Sequence, residues 1–369
     1  MQYDGDHVYD KQTVLKIDSS AIAHNVDVIK KKINGQLIAV IKENGYGMGL
    51  LTEYNILEKL GIEFFAVTNT NEALKLREFG CTKNILLMSP TLDEEEALLL
   101  NKADIIFMLG SISQAKLLKK IYAVTNKKPR VHLAIETGMG RYGFLWNQIP
   151  DLSFLPNFVE IEGCYTHLHG KPKNYVKEAN LQKDRFLLAV KALEDQKLNT
   201  GLKHICNSAG TMALGDLGMD AVRVGSAIIG KCARGGAKLK CALWIESKIC
   251  QTMELPKGST VGYQACAVLK RDSRLGVIRA GHGDGLFLGY ADNPEPLVNG
   301  ILHLLSVKLR PKRYQKTVTI KQKKVPLVGR AGVAHFVVDL TDTSFKDGDT
   351  VRIEVNPLFI HPSITKELV

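Results

Sequence analysis

From about residue 37 to residue 225 the chain repeats one beat, a short and largely β-branched apolar run followed by a turn and a stretch of helical periodicity. The runs fall at residues 37–41, 64–67, 85–88, 105–107, 131–135, 161–166, 203–206 and 221–224, and helical stretches at 71–79, 94–102, 113–124, 176–195 and 208–214 lie between them. Runs this apolar read as strands buried on both faces, which is the habit of a parallel sheet. Eight such units in about 200 residues predict an α/β fold, an N-terminal parallel (β/α)8 TIM barrel, with a doubly wound open sheet as the lesser alternative.

The beat stops near Cys232. Alternating β-type segments follow at 242–253, 274–278, 302–309, 317–321, 325–328, 336–339 and 350–355, divided by turns such as Pro256-Lys257-Gly258 and Asp347-Gly348-Asp349. The expected division is a barrel over 12–235 and a C-terminal all-β domain over 236–369, the latter with the N-terminal strand segment, and Ala233-Arg234-Gly235-Gly236 as a hinge. Residues 14–17 read as a short strand, followed by a helix from Asp18 or Ser19 to about Ile33 on the spacing of Ile22, Val26 and Ile29.

Composition narrows the function classes. The chain has 369 residues, 45% hydrophobic and 24% charged, with a formal net charge of +11. Its lysine clusters lack interleaved aromatics, which argues against nucleic acid as a partner. No apolar run approaches a membrane span, and Met1 to Asp10 lack the apolar core of a secretory signal. The seven cysteines form no Cys-x-x-Cys pair and read as buried thiols in a reducing compartment. The expectation is a cytoplasmic protein without a metal site.

In a TIM barrel the chemistry lies where strands end. Lys42 ends the first run and leads into Glu43-Asn44-Gly45-Tyr46-Gly47; Thr137 to Arg141 follow the fifth run, Thr166-His167 end the sixth, Asn207-Ser208 follow the seventh, and Arg223 with Gly225-Ser226 ends the eighth. A lysine there is suited to attack a carbonyl as a Schiff-base nucleophile. The loops after strands seven and eight are the usual phosphate corner of such a barrel. A Schiff-base lysine facing a phosphate corner points to pyridoxal phosphate. His132 and His204, inside strands, read as packed core histidines, and His167-Leu168-His169 lacks a third ligand for a metal.

These residues resemble those of the alanine racemase family, fold-type III pyridoxal-phosphate enzymes, and the resemblance covers essentially the whole chain. Ala39 to Gly49 is similar to the family's cofactor-lysine motif, which implies Lys42 as the cofactor lysine and Tyr46 as a phosphate ligand. Thr137-Gly138-Met139-Gly140-Arg141-Tyr142-Gly143 matches a second motif, implying that Arg141 reaches the cofactor's phenolic oxygen and the substrate. By the same resemblance Arg223 faces the pyridine nitrogen with His167 as its buttress, and Asn207, Ser208, Gly225 and Ser226 lie on the phosphate side. An arginine at the ring nitrogen does not readily give up its proton, so carbanion character stays at Cα, which favours racemisation over decarboxylation.

The departures from the family gather on the β domain or beside it. The family's catalytic tyrosine, which reaches in from the partner subunit in a Gly-Tyr-x-Asp-Gly motif, is here His282 in Gly281-His282-Gly283-Asp284-Gly285. Histidine is a weaker and shorter proton shuttle, with an ordinary pKa near 6.5. Ala134 stands where many members carry a carbamylated lysine. Val333 and Ala334 replace a methionine and an aspartate of the substrate pocket, Tyr263 resembles a tyrosine near the substrate entrance, and no tyrosine follows Asn356 where the family contacts phosphate, leaving His361 or Ser363. The expected function is racemisation of a small, alanine-type amino acid in a homodimer with shared active sites. The alternatives are an altered substrate, a different reaction at Cα, or cofactor binding without catalysis.

Overall fold

The computed structural model describes residues 13–170, 174–232, 238–288 and 316–369. It divides into two compact units, residues 19–241 and residues 13–18 with 242–369. The expected hinge at 233–236 and the expected strand at 302–309 lie outside the described residues.

In chain order the first strands are β1 (Val14–Ile17), β2 (Gln36–Val40), β3 (Phe64–Val67), β4 (Asn84–Leu87), β5 (Ile106–Leu109), β6 (Arg130–Glu136), β7 (Phe144–Leu145), β8 (Glu160–Tyr165), β9 (Leu202–His204) and β10 (Ala221–Val224). Strands β2 to β6 and β8 to β10 pair in parallel, and β10 returns to β2, so the sheet closes as an eight-stranded barrel. The sequence reading of a (β/α)8 barrel holds. Closure leaves no free edge, and the inward residues Ile38, Val40, Phe64, Ala66, Leu86, Ile106 and Ala221 pack as one apolar layer. The helices outside begin on residues that accept from their own free N–H groups: Asn69 from Glu72, Asp93 from Glu96, Ser111 from Gln114.

The second unit continues with β11 (Leu243–Leu255), β12 (Thr260–Val261), β13 (Ala267–Val268), β14 (Ser273–Ile278), β15 (Thr317–Ile320), β16 (Lys323–Val328), β17 (Phe336–Asp339), β18 (Thr350–Glu354) and β19 (Thr365–Leu368). The long β11 pairs with β18 and β1 through its first half and with β14 through its second, with a register shift between Ile249 and Gln251. That irregularity bends the strand and lets β14-β17-β16-β15-β18-β11 close on itself, while β1 and β19 extend the sheet beyond β11.

The cysteines correct one expectation. Cys81, Cys164 and Cys206 are buried, but Cys241, Cys250 and Cys266 are exposed, and all seven are free thiols. Cys250 sits on β11, whose first eight residues alternate between buried and more accessible positions, on a side chain that points outward. No helix among the described residues is long and apolar enough to cross a membrane.

Candidate active site

A cavity of about 490 Å³ opens at the C-terminal ends of the barrel strands, within the size range of a small-molecule site. Lys42, Tyr46, Arg141, His167, Asn207, Ser208, Arg223, Gly225 and Ser226 all line it. The strand ends thus bring together the barrel residues expected to act in catalysis or cofactor binding.

Lys42 follows β2 in extended conformation (φ −116°, ψ 167°). The next four residues are all left-handed, Glu43 at φ 53°, Asn44 at 53°, Gly45 at 62° and Tyr46 at 48°. Each non-glycine residue there costs roughly 1–2 kcal/mol, so the turn exists only because its surroundings hold it. Tyr46 N–H donates to the Lys42 carbonyl (2.8 Å), Asn44 N–H to Glu72 Oε1 (3.0 Å), and Leu50 N–H to Asn44 Oδ1 (3.0 Å). Lys42 is thereby placed half-buried at the cavity wall, with Tyr46 turned inward and buried.

Tyr46 meets the end of β10. A Cβ on Gly225 would fall 2.1 Å from Tyr46 Oη, so only glycine fits. Burial pushes the Tyr46 phenol well above its ordinary value and keeps it a neutral donor. Ser208 Oγ accepts from the N–H groups of Gly225 (3.1 Å) and Ala227 (3.3 Å), and Asn207 Oδ1 caps the following helix at Gly210 (3.0 Å).

Arg223 is buried and remains charged, with a pKa lowered only to about 10 by burial. Its Nη1 donates to the His204 carbonyl (2.9 Å) and lies 2.8 Å from His204 Nδ1, and its Nη2 donates to the Thr166 carbonyl (2.6 Å). His204 Nε2 in turn lies 2.8 Å from His132 Nδ1. Burial, with the Arg223 charge beside them, drives both imidazoles down, His132 to about 3, so both are neutral. Because Arg223 can only donate, His204 Nδ1 accepts, its Nε2–H donates to His132, and one tautomer of each ring is fixed. Tyr165 stacks on His204 at 5.1 Å and carries the Arg223 guanidinium 4.8 Å over its ring.

The expected buttress, His167, is corrected. Arg223 is braced by His204, backed by His132, because those side chains rise from β9 and β6 inside the barrel, whereas His167 lies past the end of β8. The His167 ring is 3.5 Å from Asn207 Nδ2, and burial with Arg223 nearby lowers it to about 3. His132 and His204 were legible only as core histidines. The signal available was a histidine inside each of two barrel strands, with Gly163 across from His132 to make room for its ring.

Glu136 is a second residue not singled out. The loop after β6 wraps its carboxylate: Gly138 N–H and Arg141 N–H (3.1 Å) donate to it. Burial opposes ionisation, yet these N–H groups with those of Gly140 and Met139 hold the carboxyl below its ordinary value. Arg141 is presented from this loop, exposed, with its guanidinium 5.3 Å over the Tyr142 ring. Ala134 packs with Met108 and Tyr165.

In the β unit, Gly281–Leu286 and Gly332–Val333 are bonded together, His282 N–H to Gly332 O (3.0 Å) and Gly283 N–H to Val333 O (2.8 Å). His282 Nδ1 lies 3.0 Å from the Leu286 carbonyl. A carbonyl only accepts, so Nδ1 carries the proton and Nε2 of the neutral ring keeps its lone pair. Tyr263 and Val333 are each 69% exposed, and Ala334 is exposed beside them. His361 Nδ1 is 2.7 Å from Ser363 Oγ.

A closed parallel barrel with a lysine and a buried arginine at its rim, joined in sequence to a β unit, defines a class of two-domain barrel enzymes. The alanine racemase N-terminal domain matches residues 17–232 and the alanine racemase C-terminal domain residues 242–357. Alanine racemase 1 of Caldanaerobacter subterraneus subsp. tengcongensis is 30% identical over 368 residues, which cover 96% of this chain and 87% of that protein. The alanine racemase of Aquifex pyrophilus is 30% identical over 347 residues, covering 93% and 89%. Among solved structures, alanine racemase of Clostridium difficile 630 superposes with a TM-score of 0.80 at 22% identity, covering 98% of this chain and 96% of that one. The Bacillus anthracis alanine racemase with bound L-Ala-P gives 0.79 at 22%, covering 98% and 96%. The chain belongs to the alanine racemase family.

Proposed function

We propose that the protein is a pyridoxal-phosphate-dependent racemase of a small, alanine-type amino acid, working as a homodimer whose active sites are shared. The observation that carries this reading is the buried, charged Arg223 held by the neutral His204–His132 pair at the cavity wall.

The residues present fit the cofactor: a lysine at a strand end, a buried cation deeper in the cavity, and Tyr46, Ser208, Gly225 and Ser226 converging where a phosphate would sit. When bound, pyridoxal phosphate withdraws electrons from the Cα–H bond of an amino acid joined to it. Lys42 Nζ takes or returns the Cα proton on one face. The partner subunit's His282, through the Nε2 lone pair, does so on the other. Arg223 holds its protons tightly, so a ring nitrogen facing it would gain none, which would favour reprotonation at Cα. Arg141 orients the substrate from the loop that Glu136 organises, and His167, neutral, lines the cavity wall without adding charge. Lys42 and His282 on opposite faces are what inversion requires; either alone would only exchange the proton.

The test is incubation with L-alanine and D-alanine separately in D₂O, reading chirality and Cα deuterium together. Both enantiomers are expected to converge on one mixture carrying deuterium. Lys42→Ala and His282→Phe each abolish inversion, and each leaves deuterium exchange from one enantiomer only. Deuterium uptake with full retention in the native protein would remove His282 from the reaction, and cofactor uptake without exchange would make the chain a binding protein.

A further inference from the structure

Behind the left-handed turn that carries Lys42 and Tyr46 lie two carboxyl groups that no step of the reaction uses. Glu53, on the helix Leu50–Lys59, is 0% exposed, and neither of its oxygens has a hydrogen-bond partner. Glu72, on the helix Thr70–Glu78, bonds Asn44 N–H through Oε1, but its buried Oε2 is also unpartnered. Both press on the same turn. A Cβ placed on Gly45 would stand 3.1 Å from Glu53 Oε2, and Asn44, which Glu72 bonds, is the residue before. An ionised carboxylate buried without a donor costs several kcal/mol, and two facing one turn cannot both be charged. A proton on Glu53 removes one of the two charges, so the two carboxyls no longer repel beside the turn.

We propose that Glu53 is a positioning residue, held as a neutral carboxylic acid behind Gly45, and so seats the strained turn presenting Lys42 and Tyr46 to the cofactor. The proposal rests on the reading of the cavity as a pyridoxal phosphate site. Ionising Glu53 sets its charge against Glu72 from the neighbouring helix, beside a turn that also carries Glu43 and Lys42, and the turn loosens. Burial and Glu72 both hold the Glu53 carboxyl well above its ordinary value, in keeping with this assignment.

Two measurements test it. The first is the infrared carbonyl band of a protonated carboxylic acid in the cofactor-free protein at neutral pH, expected in the native chain and missing in Glu53→Gln; a native spectrum without that band overturns the proposal. The second is pyridoxal phosphate affinity between pH 6 and 10, read from the visible absorbance of the lysine-bound cofactor. Native affinity falls with rising pH by up to about tenfold per pH unit beyond what Glu53→Gln shows, because one proton is released as the turn loosens. Glu53→Gln, of the same shape and uncharged at every pH, rescues the alkaline arm, whereas Glu53→Leu weakens binding across the range. Superimposable profiles for the native chain and Glu53→Gln overturn the positioning role, with folding of each variant checked by circular dichroism. A protein that shows the infrared band but takes up no cofactor sinks the functional reading while leaving the neutral Glu53 in place.

Discussion

Arg223 and His204 are joined twice, Nη1 lying 2.8 Å from the imidazole Nδ1 and 2.9 Å from the backbone carbonyl of the same histidine. The double contact fixes the guanidinium plane, and the Tyr165 ring closes it from the side. An arginine so held is part of the barrel core and part of the cavity wall at once.

Removing the acceptor tests the first role. His204→Leu leaves a buried, charged donor with one partner fewer, and a loss of about 1–3 kcal/mol in unfolding free energy is expected. Urea unfolding of the cofactor-free protein measures it, since the loss belongs to the core and not to the cofactor.

The histidine pair makes acid stability a second test. His132 titrates at about 6.5 when unfolded but only at about 3 in the barrel, so its neutral form is favoured by folding. The stability it confers is intact above pH 6.5 and is lost as pH falls from 6.5 toward 3, about 5 kcal/mol at most. His132→Gln, which cannot titrate, is expected to show a shallower fall of Tm over that window.

Glu136 predicts a split in kinetic constants. Glu136→Gln removes a charge-assisted bond set that shapes the loop bearing Arg141, worth about 1.5–3 kcal/mol. Amino-acid KM is expected to rise roughly tenfold to a hundredfold, with kcat changing less. A steady-state comparison with Arg141→Ala shows whether the two act through one element.

Gly225→Ala tests the close approach at the phosphate end. The added methyl would overlap Tyr46 Oη and force the ring aside, costing about 1–3 kcal/mol of overpacking. Pyridoxal phosphate affinity is expected to fall while the barrel stays folded, and the double variant with Tyr46→Phe, which lacks the nearest atom, recovers part of the thermal stability but not the affinity.

Much of the fold was legible because periodicity reports burial directly. Phe64–Val67 is buried at every position, as its unbroken apolar run requires of a parallel strand covered on both faces. The strand ends were legible for the same reason, since Lys42 and Arg223 interrupt or end runs that otherwise tolerate no charge. Exposure of Cys250 was not legible, because a cysteine in an alternating strand fits either face and only the pairing of β11 decides which.

The sequence by itself determined the eight βα units, the change to β structure near residue 242, and which polar residues sit at the barrel rim. These depend on local pattern and on strand order alone. Only the tertiary structure decided that His204 and His132, not His167, hold Arg223, that Glu136 shapes the Arg141 loop, and that Glu53 and Glu72 lie behind the Lys42 turn. Each of these joins residues from different strands or helices, through inward register and closure of the barrel, and no spacing along the chain encodes which buried group will find which partner.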